Sequence, residues 1–263
     1  GFASAPALYI ASTLGVPIFI QEQNSLPGKT NIFLSKRARG VFTAYPDMQH
    51  FFPHTQVYFL GNPIRENVLS GLESTASAKE KLGLDKNKLT ILSVGGSLGS
   101  RTLNNAWEKL IPQINELGIQ LIWTGKTDYQ HIISQNLATE NIQVREFISD
   151  MALAYSAADV IVSRAGAIAI SELAIAGKPI LLVPFPFAAE DHQTKNAMAL
   201  VEKNAARMVK DSQMEAVFWQ TLSEICNNQS LREQMSRNLS LFAKPKATQE
   251  IVAQLLEALS LRP

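Results

Sequence analysis

Leu89-Thr-Ile-Leu-Ser-Val-Gly-Gly-Ser-Leu-Gly-Ser100 is the stretch of sequence that decides the fold. Its first half contains Thr90–Val94, a short run with no polar face, which is typical of a central parallel strand covered by helices on both sides. A glycine-rich turn follows, and an amphipathic stretch starts near Arg101. A strand, a glycine-rich turn and a helix in this order predict one unit of a Rossmann-like domain.

The same alternation of strands and helices extends along the rest of the chain. The predicted strands are Val16–Ile20, Gly40–Ala44, Val57–Leu60, Leu89–Val94, Ile119–Thr124, Ile142–Phe147, Asp159–Ser163 and Pro179–Val183. The predicted helices are Arg101–Leu117, Gly166–Ala176, Gln193–Lys203 and Ala247–Leu259. Strands that alternate with helices imply βαβ units and parallel sheets, so the predicted fold class is α/β.

The chain of 263 residues is expected to contain two domains. A boundary is predicted at Gly61-Asn-Pro-Ile-Arg65, because a polar stretch follows it and a strong new strand then begins at Leu89. Residues 1–64 are the expected remainder of a first domain that lacks its start, and residues 65–245 form the second. Residues 246–263 are expected to return to the first domain as a last helix with one buried face.

Composition and motifs exclude several classes of protein. There are 24 Lys and Arg against 23 Asp and Glu, so no nucleic-acid partner is predicted. Cys226 is the single cysteine, which excludes a disulfide within the chain and fits a reducing compartment. The 4 histidines are scattered and no Asp-x-Asp motif occurs, so neither a metal site nor a cofactor is predicted. No apolar run approaches the ~18 residues that a membrane-spanning helix needs.

The glycine-rich turn is predicted to bind phosphate. Gly95, Gly96 and Gly99 have no Cβ atoms, so the backbone can approach a phosphate closely. Ser97 adds a hydroxyl donor, and the start of the following helix offers unpaired N–H groups and a partial positive charge. The spacing matches neither GxGxxG nor a Walker A loop, and a tight turn with a glycine hinge is the alternative.

A second candidate anion site lies in Arg164–Pro179, which follows the predicted strand that ends at Ser163. Gly166 and Ala167 stand where another helix should start. Glu172 is the only acid on this otherwise apolar helix. A carboxylate buried there needs a hydrogen-bonding partner, and a ribose diol is one natural partner. The alternative is a glutamate that faces solvent among ordinary helical neighbours.

Two further polar segments lie just past predicted strands, where open α/β sheets place their ligands. In Pro184–Gln193, the side chains of Asp191, His192 and Gln193 are suitable partners for sugar hydroxyls, although Asp191 is also explained as a helix cap. Gln21–Asn24 contains three amides and one acid, which either line a cleft or form a simple turn.

Taken in order, these segments resemble the MurG family of glycosyltransferases over almost the whole chain. The stretches that carry the resemblance are Gly1-Phe-Ala-Ser-Ala-Pro6, Glu22-Gln-Asn24, Gly61-Asn-Pro-Ile-Arg65, Gly95-Gly-Ser-Leu-Gly99 and residues 146–197. The departures from the family pattern are Phe2 and Ala3 in the first stretch, Gln21 where histidine is usual, and Leu98 where glutamine is usual.

The resemblance implies a GT-B fold, in which two Rossmann-like parallel-sheet domains face each other across a cleft, here with the first domain incomplete. It implies an inverting, metal-independent transfer of GlcNAc from UDP-GlcNAc to the C4 hydroxyl of MurNAc in lipid I, undecaprenyl-pyrophosphoryl-MurNAc-pentapeptide. The product is lipid II, so the expected processes are peptidoglycan synthesis, cell shape and cell division. The implied location is the cytoplasmic face of the bacterial inner membrane, as a peripheral protein.

The resemblance also implies the UDP-GlcNAc contacts. The main chain of Ile148 would hold the uracil, Glu172 the ribose, Ser97 the diphosphate, and Arg65 would reach the nucleotide from the hinge. The implied sugar contacts are Asn24, Ala167, Ile168, His192 and Gln193.

Some assignments stay open at this point. The family's usual base lies in an N-terminal loop absent from this chain, so the base is unknown and Glu22 is only a candidate. The chain alone is therefore expected to bind UDP-GlcNAc weakly and not to turn over. Ile32–Arg39 is apolar and then basic, which fits contact with anionic lipid or a core helix with a solvated end. The rival functions are a UDP-GlcNAc 2-epimerase-like enzyme and a non-catalytic nucleotide-sugar-binding subunit.

Overall fold

The computed structural model describes residues 2–96 and 99–260. In that part of the chain, strands β1 (Phe19–Glu22), β2 (Gly40–Thr43) and β3 (Val57–Phe59) form a parallel sheet in the order β1-β2-β3. A second sheet of six strands has the order β6-β5-β4-β7-β8-β9. Its members are β4 (Thr90–Val94), β5 (Gln120–Thr124), β6 (Ile142–Arg145), β7 (Val160–Ser163), β8 (Ile180–Leu182) and β9 (Arg207–Met208).

Helices connect these strands. The helices before β4 are α1 (Ala5–Thr13), α2 (Lys29–Ser35), α3 (Glu66–Ser70) and α4 (Thr75–Lys81). The helices between successive strands of the second sheet are α5 (Arg101–Glu116), α6 (Tyr129–Ser134), α7 (Met151–Ala157), α8 (Ala167–Ala176) and α9 (His192–Val201). After β9 come α10 (Met214–Asn227), α11 (Gln229–Leu239) and α12 (Ala247–Ser260). No helix among the described residues combines the length and the apolar character needed to cross a membrane.

The prediction of an α/β fold with parallel sheets is confirmed, with two corrections. The first strand begins at Phe19 and not at Val16, because the Val16 N–H donates to the Ala11 carbonyl and closes α1. Strand β9 was not predicted, since only two residues of it pair with β8. The polar stretch Ser70–Asn87 contains α4, which packs against α7.

Helix α5 shows how the core positions the glycine-rich turn. Leu103, Trp107 and Ile114 share one face of the helix and are fully buried. The Trp107 Nε1 donates to Ser93 Oγ at 2.7 Å, which ties the helix to the end of β4. The Ser100 side chain accepts from the Leu103 N–H at 3.2 Å and caps the helix where the turn ends. The turn is therefore fixed at both ends.

The C-terminal segment contacts residues of the first sheet and its connections. The Lys244 ammonium lies 4.1 Å from the centroid of the Phe59 ring. A Cβ atom at Gly61, whose φ is +91°, would overlap the Lys244 Cβ, so this close approach requires glycine. Arg39 donates to the Ala258 carbonyl of α12 at 3.0 Å. The domain boundary near residue 65 stays a prediction.

Candidate functional site

Two cavities open at the carboxyl ends of the parallel strands. The first has a volume of about 650 Å³ and is lined by residues that follow β4, β5, β6 and β7. The second has a volume of about 670 Å³ and lies between Gln21–Asn31 and the segment that ends at His192. The carboxyl ends of strands are where open α/β sheets bind ligands, so both cavities are candidate subsites.

Glu172 forms one wall of the first cavity. The residue is only 4% exposed, so the alternative of a solvent-facing glutamate is wrong. Arg65 donates to both carboxylate oxygens, from Nη2 at 3.0 and 3.2 Å and from Nε at 3.1 Å. The Tyr155 hydroxyl donates to Oε2 at 3.1 Å. Burial, reinforced by the nearby Glu172 charge, raises the pKa of the Tyr155 phenol, so it stays protonated and keeps donating.

The start of helix α8 faces the same cavity. Gly166 is the N-cap residue with extended backbone angles, and its side chain offers no capping group. The first N–H groups of the helix, on Ala167 and Ile168, have no carbonyl partner within the helix. Ile168 and Ala169 line the cavity wall beside Glu172. The positive end of the helix dipole is therefore open to a bound anion.

The glycine-rich turn also contributes to the lining of this cavity. Gly96 lines the cavity with a φ of +84°, and Gly99 has a φ of +79°, both in the left-handed region that favours glycine. A Cβ atom at Gly95 would lie 2.7 Å from the Ser100 nitrogen, so the turn is too tight for any side chain there. Ser97 and Leu98, which stand between Gly96 and Gly99 in the sequence, lie outside the described residues.

Ile148 offers main-chain groups to the cavity. The residue is buried and lines the wall next to Phe147. Within the described part of the chain, neither its N–H nor its C=O takes part in a hydrogen bond. A free donor and a free acceptor on one residue suit a ligand that carries both kinds of group on one edge.

Asn196 connects helix α9 to the segment that follows β1. Its Oδ1 accepts from the Ser25 N–H at 2.9 Å, and its Nδ2 donates to Asn24 Oδ1 at 3.0 Å. Asn196 is fully buried in α9, whereas Asn24 follows β1. These bonds place Asn24 beside the second cavity, together with His192. Both residues, predicted from separate segments, are thus brought together.

The Glu22 carboxylate holds the turn that follows β1. The residue is 2% exposed, and its oxygens accept from the N–H groups of Asn24 and Gly28 at 3.0 and 3.1 Å. The Asn31 side-chain amide donates to Oε2 at 2.7 Å. This set of donors engages both oxygens, so the structure gives Glu22 a role in shaping the turn and leaves the base unassigned.

Gln193 and its neighbours differ in what they offer to a ligand. The Gln193 Oε1 accepts from the N–H groups of Ala165 and Phe185, at 3.1 and 2.9 Å, which leaves Nε2 without a partner among the described residues. The buried Nδ1 of His192 also has no partner in that part of the chain. Asp191 stands at the N-cap position of α9, but its side chain makes no capping bond, so the capping prediction is wrong.

Comparison with known proteins identifies the family. The glycosyltransferase family 28 C-terminal domain matches residues 90–251, and the N-terminal domain of that family matches residues 1–43. The crystal structure of Acinetobacter baumannii MurG shares 34% identity at a TM-score of 0.78, over 98% of this chain and 71% of that chain. The UDP-N-acetylglucosamine–N-acetylmuramyl-(pentapeptide) pyrophosphoryl-undecaprenol N-acetylglucosamine transferase of Cytophaga hutchinsonii is 44% identical over 261 residues, or 99% of this chain and 70% of that protein. The chain belongs to the MurG family.

Membership of the MurG family confirms the predicted family and the GT-B fold. A putative UDP-N-acetylglucosamine 2-epimerase from Listeria monocytogenes also has a similar structure, with a TM-score of 0.67 over 99% of this chain and 73% of that chain. Its identity to this MurG-family chain is only 11%, so it shares the fold and nothing more is inferred from it. The epimerase alternative receives no support from sequence.

Arg164 is a residue of this MurG-family site to which the sequence assigned no role. It is 7% exposed and follows β7 directly. Its Nη2 donates to Ser100 Oγ at 2.7 Å, and its Nη1 donates to the carbonyls of Val183 and Pro184 at 3.0 Å. Nη1 also pairs with the Asp211 carboxylate. The sequence feature that could have indicated a role for Arg164 is its charge, which comes directly after a strand that is apolar on both faces.

Proposed function

We propose that this chain provides the UDP-GlcNAc site of an enzyme that transfers GlcNAc to the C4 hydroxyl of MurNAc in lipid I and so forms lipid II. A relative that is 44% identical to this chain is named for this N-acetylglucosamine transfer. The observation that carries the proposal is that Glu172, the open start of α8 and the glycine-rich turn surround one cavity of about 650 Å³. An acid, a helix start and a phosphate turn are the parts that a nucleoside diphosphate requires.

The nucleotide is held by groups that the structure leaves available. The uracil edge, with an N–H donor between two carbonyl acceptors, pairs with the main-chain groups of Ile148, which have no hydrogen-bond partner among the described residues. The ribose hydroxyls donate to Glu172 and displace Arg65 from it. Arg65 is more than half exposed, so water and the diphosphate can take over its guanidinium when the ribose hydroxyls occupy Glu172. The released guanidinium then turns to the diphosphate.

The transfer inverts the configuration at the anomeric carbon. The acceptor hydroxyl attacks C1 of GlcNAc and loses its proton to the general base, the bond from C1 to the β-phosphate oxygen breaks, and negative charge develops on UDP. The starts of α5 and α8 stabilise that charge with fixed N–H groups, as Ser97 and Arg65 do. Fixed dipoles need no reorganisation as the charge develops, so the reaction proceeds without a metal ion.

The sugar and the acceptor meet beside Asn24 and His192, which line the second cavity. Asn24, His192 and Gln193 contact the GlcNAc hydroxyls, helped by Ala167 and Ile168 at the start of α8. Gln193 Nε2 and the buried His192 Nδ1, which have no partner among the described residues, support this placement. Residues 1–64 with the returning segment 246–263 form the acceptor side, and residues 65–245 form the donor domain.

Helices α1 and α2 supply the surface that docks on the membrane, at the cytoplasmic face of the bacterial inner membrane. Leu34 is fully buried, so one face of α2 belongs to the core, as one alternative held. The other face joins α1 in an apolar–basic face, which consists of Tyr9, Ile10, Phe33, Lys36 and Arg37. Exposed apolar side chains beside cations suit an interface of anionic lipids, and the undecaprenyl acceptor lies in such a membrane.

The double substitution Ile10→Ser and Phe33→Ser is expected to weaken binding to vesicles that contain phosphatidylglycerol about tenfold. The two side chains are 57% and 55% exposed, and inserting them into lipid buries apolar area that serine does not offer. Co-sedimentation measures the change. The matched control is Leu241→Ser, an exposed leucine elsewhere on the surface. Equal binding by both variants and the unchanged chain would contradict the docking surface.

The proposed activity is tested by calorimetry with UDP-GlcNAc and by an assay for lipid II. The chain alone is expected to bind the donor without turnover. A chimera adds the part of the Cytophaga hutchinsonii relative that lies outside the match, and it is expected to form lipid II from lipid I. A chimera that binds UDP-GlcNAc and instead produces UDP-ManNAc would point to the epimerase alternative. Absence of any UDP binding by the chain would remove the donor assignment.

A further inference from the structure

Lys126 is a residue of the first cavity to which no role has been given. It follows Gly125 directly after β5, and it lines the cavity together with Gly96, Phe147 and Ile148. Its φ is +52°, in the left-handed region that residues other than glycine seldom adopt. Strained backbone of this kind persists where the surroundings demand it, and it clusters at ligand sites.

The aliphatic part of the Lys126 side chain packs against Gly99 of the glycine-rich turn. A Cβ atom at Gly99 would lie 2.6 Å from the Lys126 Cβ and 3.2 Å from its Cγ. Gly99 therefore has to be glycine partly because the lysine stem occupies the space beside it. The side chain starts beside the glycine-rich turn, and its four-carbon stem gives the ammonium a wide range of positions from there.

The ammonium of Lys126 has no carboxylate partner among the described residues. Its Nζ lies 4.4 Å from the centroid of the Phe147 ring, in a cation–π contact. The nearby Asp128 accepts instead from the Asn104 side chain at 2.8 Å. Arg65, the other cation of the cavity, is paired with Glu172. Lys126 is thus the cavity cation whose charge is not already compensated by an acid within that part of the chain.

We infer that Lys126 binds the diphosphate of UDP with its ammonium, which in the structure lies over the Phe147 ring. This inference rests on the proposed function and adds a residue to it. On binding, the ammonium leaves the ring and donates to a phosphate oxygen beside the glycine-rich turn. It then compensates part of the charge that develops when UDP departs, and the exposed Phe147 ring is left to cover the nucleotide.

The test is calorimetry with UDP and with uridine on the full 263-residue chain and its variants. Lys126→Met keeps the length of the stem and removes the charge, and it is expected to weaken UDP binding about tenfold while uridine binds as before. Lys126→Arg keeps the charge and is expected to retain most of the affinity for UDP. Lys109→Met, an exposed lysine on α5 that is remote from this cavity, is the matched control and should bind UDP unchanged.

The outcomes separate the inference from the proposed function. If Lys126→Met binds UDP as tightly as the unchanged chain, the diphosphate role is wrong. An equal loss for UDP and uridine would also overturn it, because the lysine would then be contacting the nucleoside. Failure of the unchanged chain to bind UDP at all would instead overturn the proposed function. Thermal unfolding of each variant verifies that the comparison concerns folded protein.

Discussion

Glu172→Gln is expected to weaken the binding of UDP about 100-fold while the chain stays folded. Two ribose hydroxyls donate to a carboxylate that burial shields from water, and hydrogen bonds to a charged group contribute about 1.5–3 kcal/mol each. The loss of roughly 3 kcal/mol corresponds to the stated factor. Folding is preserved because glutamine still accepts the Tyr155 hydroxyl, which lies 3.1 Å from Oε2. Titration calorimetry with UDP measures the effect.

A ligand without the ribose hydroxyls makes the experiment specific. The unchanged chain and Glu172→Gln should bind 2′,3′-dideoxy-UDP with nearly the same affinity, because the contact is removed from both. Glu116→Gln, an exposed glutamate at the end of α5, is the matched control and should bind UDP as the unchanged chain does. Equal weakening of UDP and the dideoxy analogue would show that the substitution acts on the shape of the cavity and not on the ribose.

The elements of the fold were predictable where a local pattern decides them. The runs of β4 and β8 are buried on both faces, so their apolar sequence left little choice but a central parallel strand. Strand β9 has two residues and no pattern of its own, and it exists because β8 offers an edge. The start of β1 was misplaced because Val16 is β-branched, although its N–H belongs to the end of α1.

The candidate site was predictable only in part, because its contacts are distant in sequence. Arg65 and Glu172 are separated by 107 residues, and Asn24 and Asn196 by 172. Helix α8 is apolar around its whole circumference, so its sequence could not show that Glu172 faces inward. The glycine-rich turn was found because a close backbone approach has a local signature. The roles given to the predicted site residues stay predictions.

Arg164 illustrates a contribution that only the packed structure reveals. Its guanidinium connects the residue that caps α5, Ser100, to the carbonyls that follow β8. It therefore fixes the glycine-rich turn relative to the segment that follows β8, which lies two strands from β4 in the sheet. Arg164 therefore positions the glycine-rich turn without contacting the nucleotide itself.

Arg164→Met is expected to lower the free energy of unfolding by about 3–5 kcal/mol, because it breaks a buried ion pair and leaves hydrogen-bond acceptors without donors. The side chains of Arg164 and Asp211 are 8% and 18% exposed, so water replaces the lost bonds poorly. Urea denaturation measures the change. Adding Asp211→Leu to Arg164→Met should recover part of the loss, since it removes the uncompensated carboxylate.

The control for Arg164 is Arg237→Met, which removes an exposed pair with Glu233 within α11. Its expected cost is below about 0.5 kcal/mol, as for most helical surface pairs.

In the fraction of Arg164→Met that remains folded, UDP should bind more weakly, because the turn is no longer held against the carbonyls beyond β8. A variant that lost stability but bound UDP with unchanged affinity would show that the turn keeps its shape without Arg164. The guanidinium would then stabilise the domain alone, and the capped start of α5 would be sufficient to hold the phosphate turn.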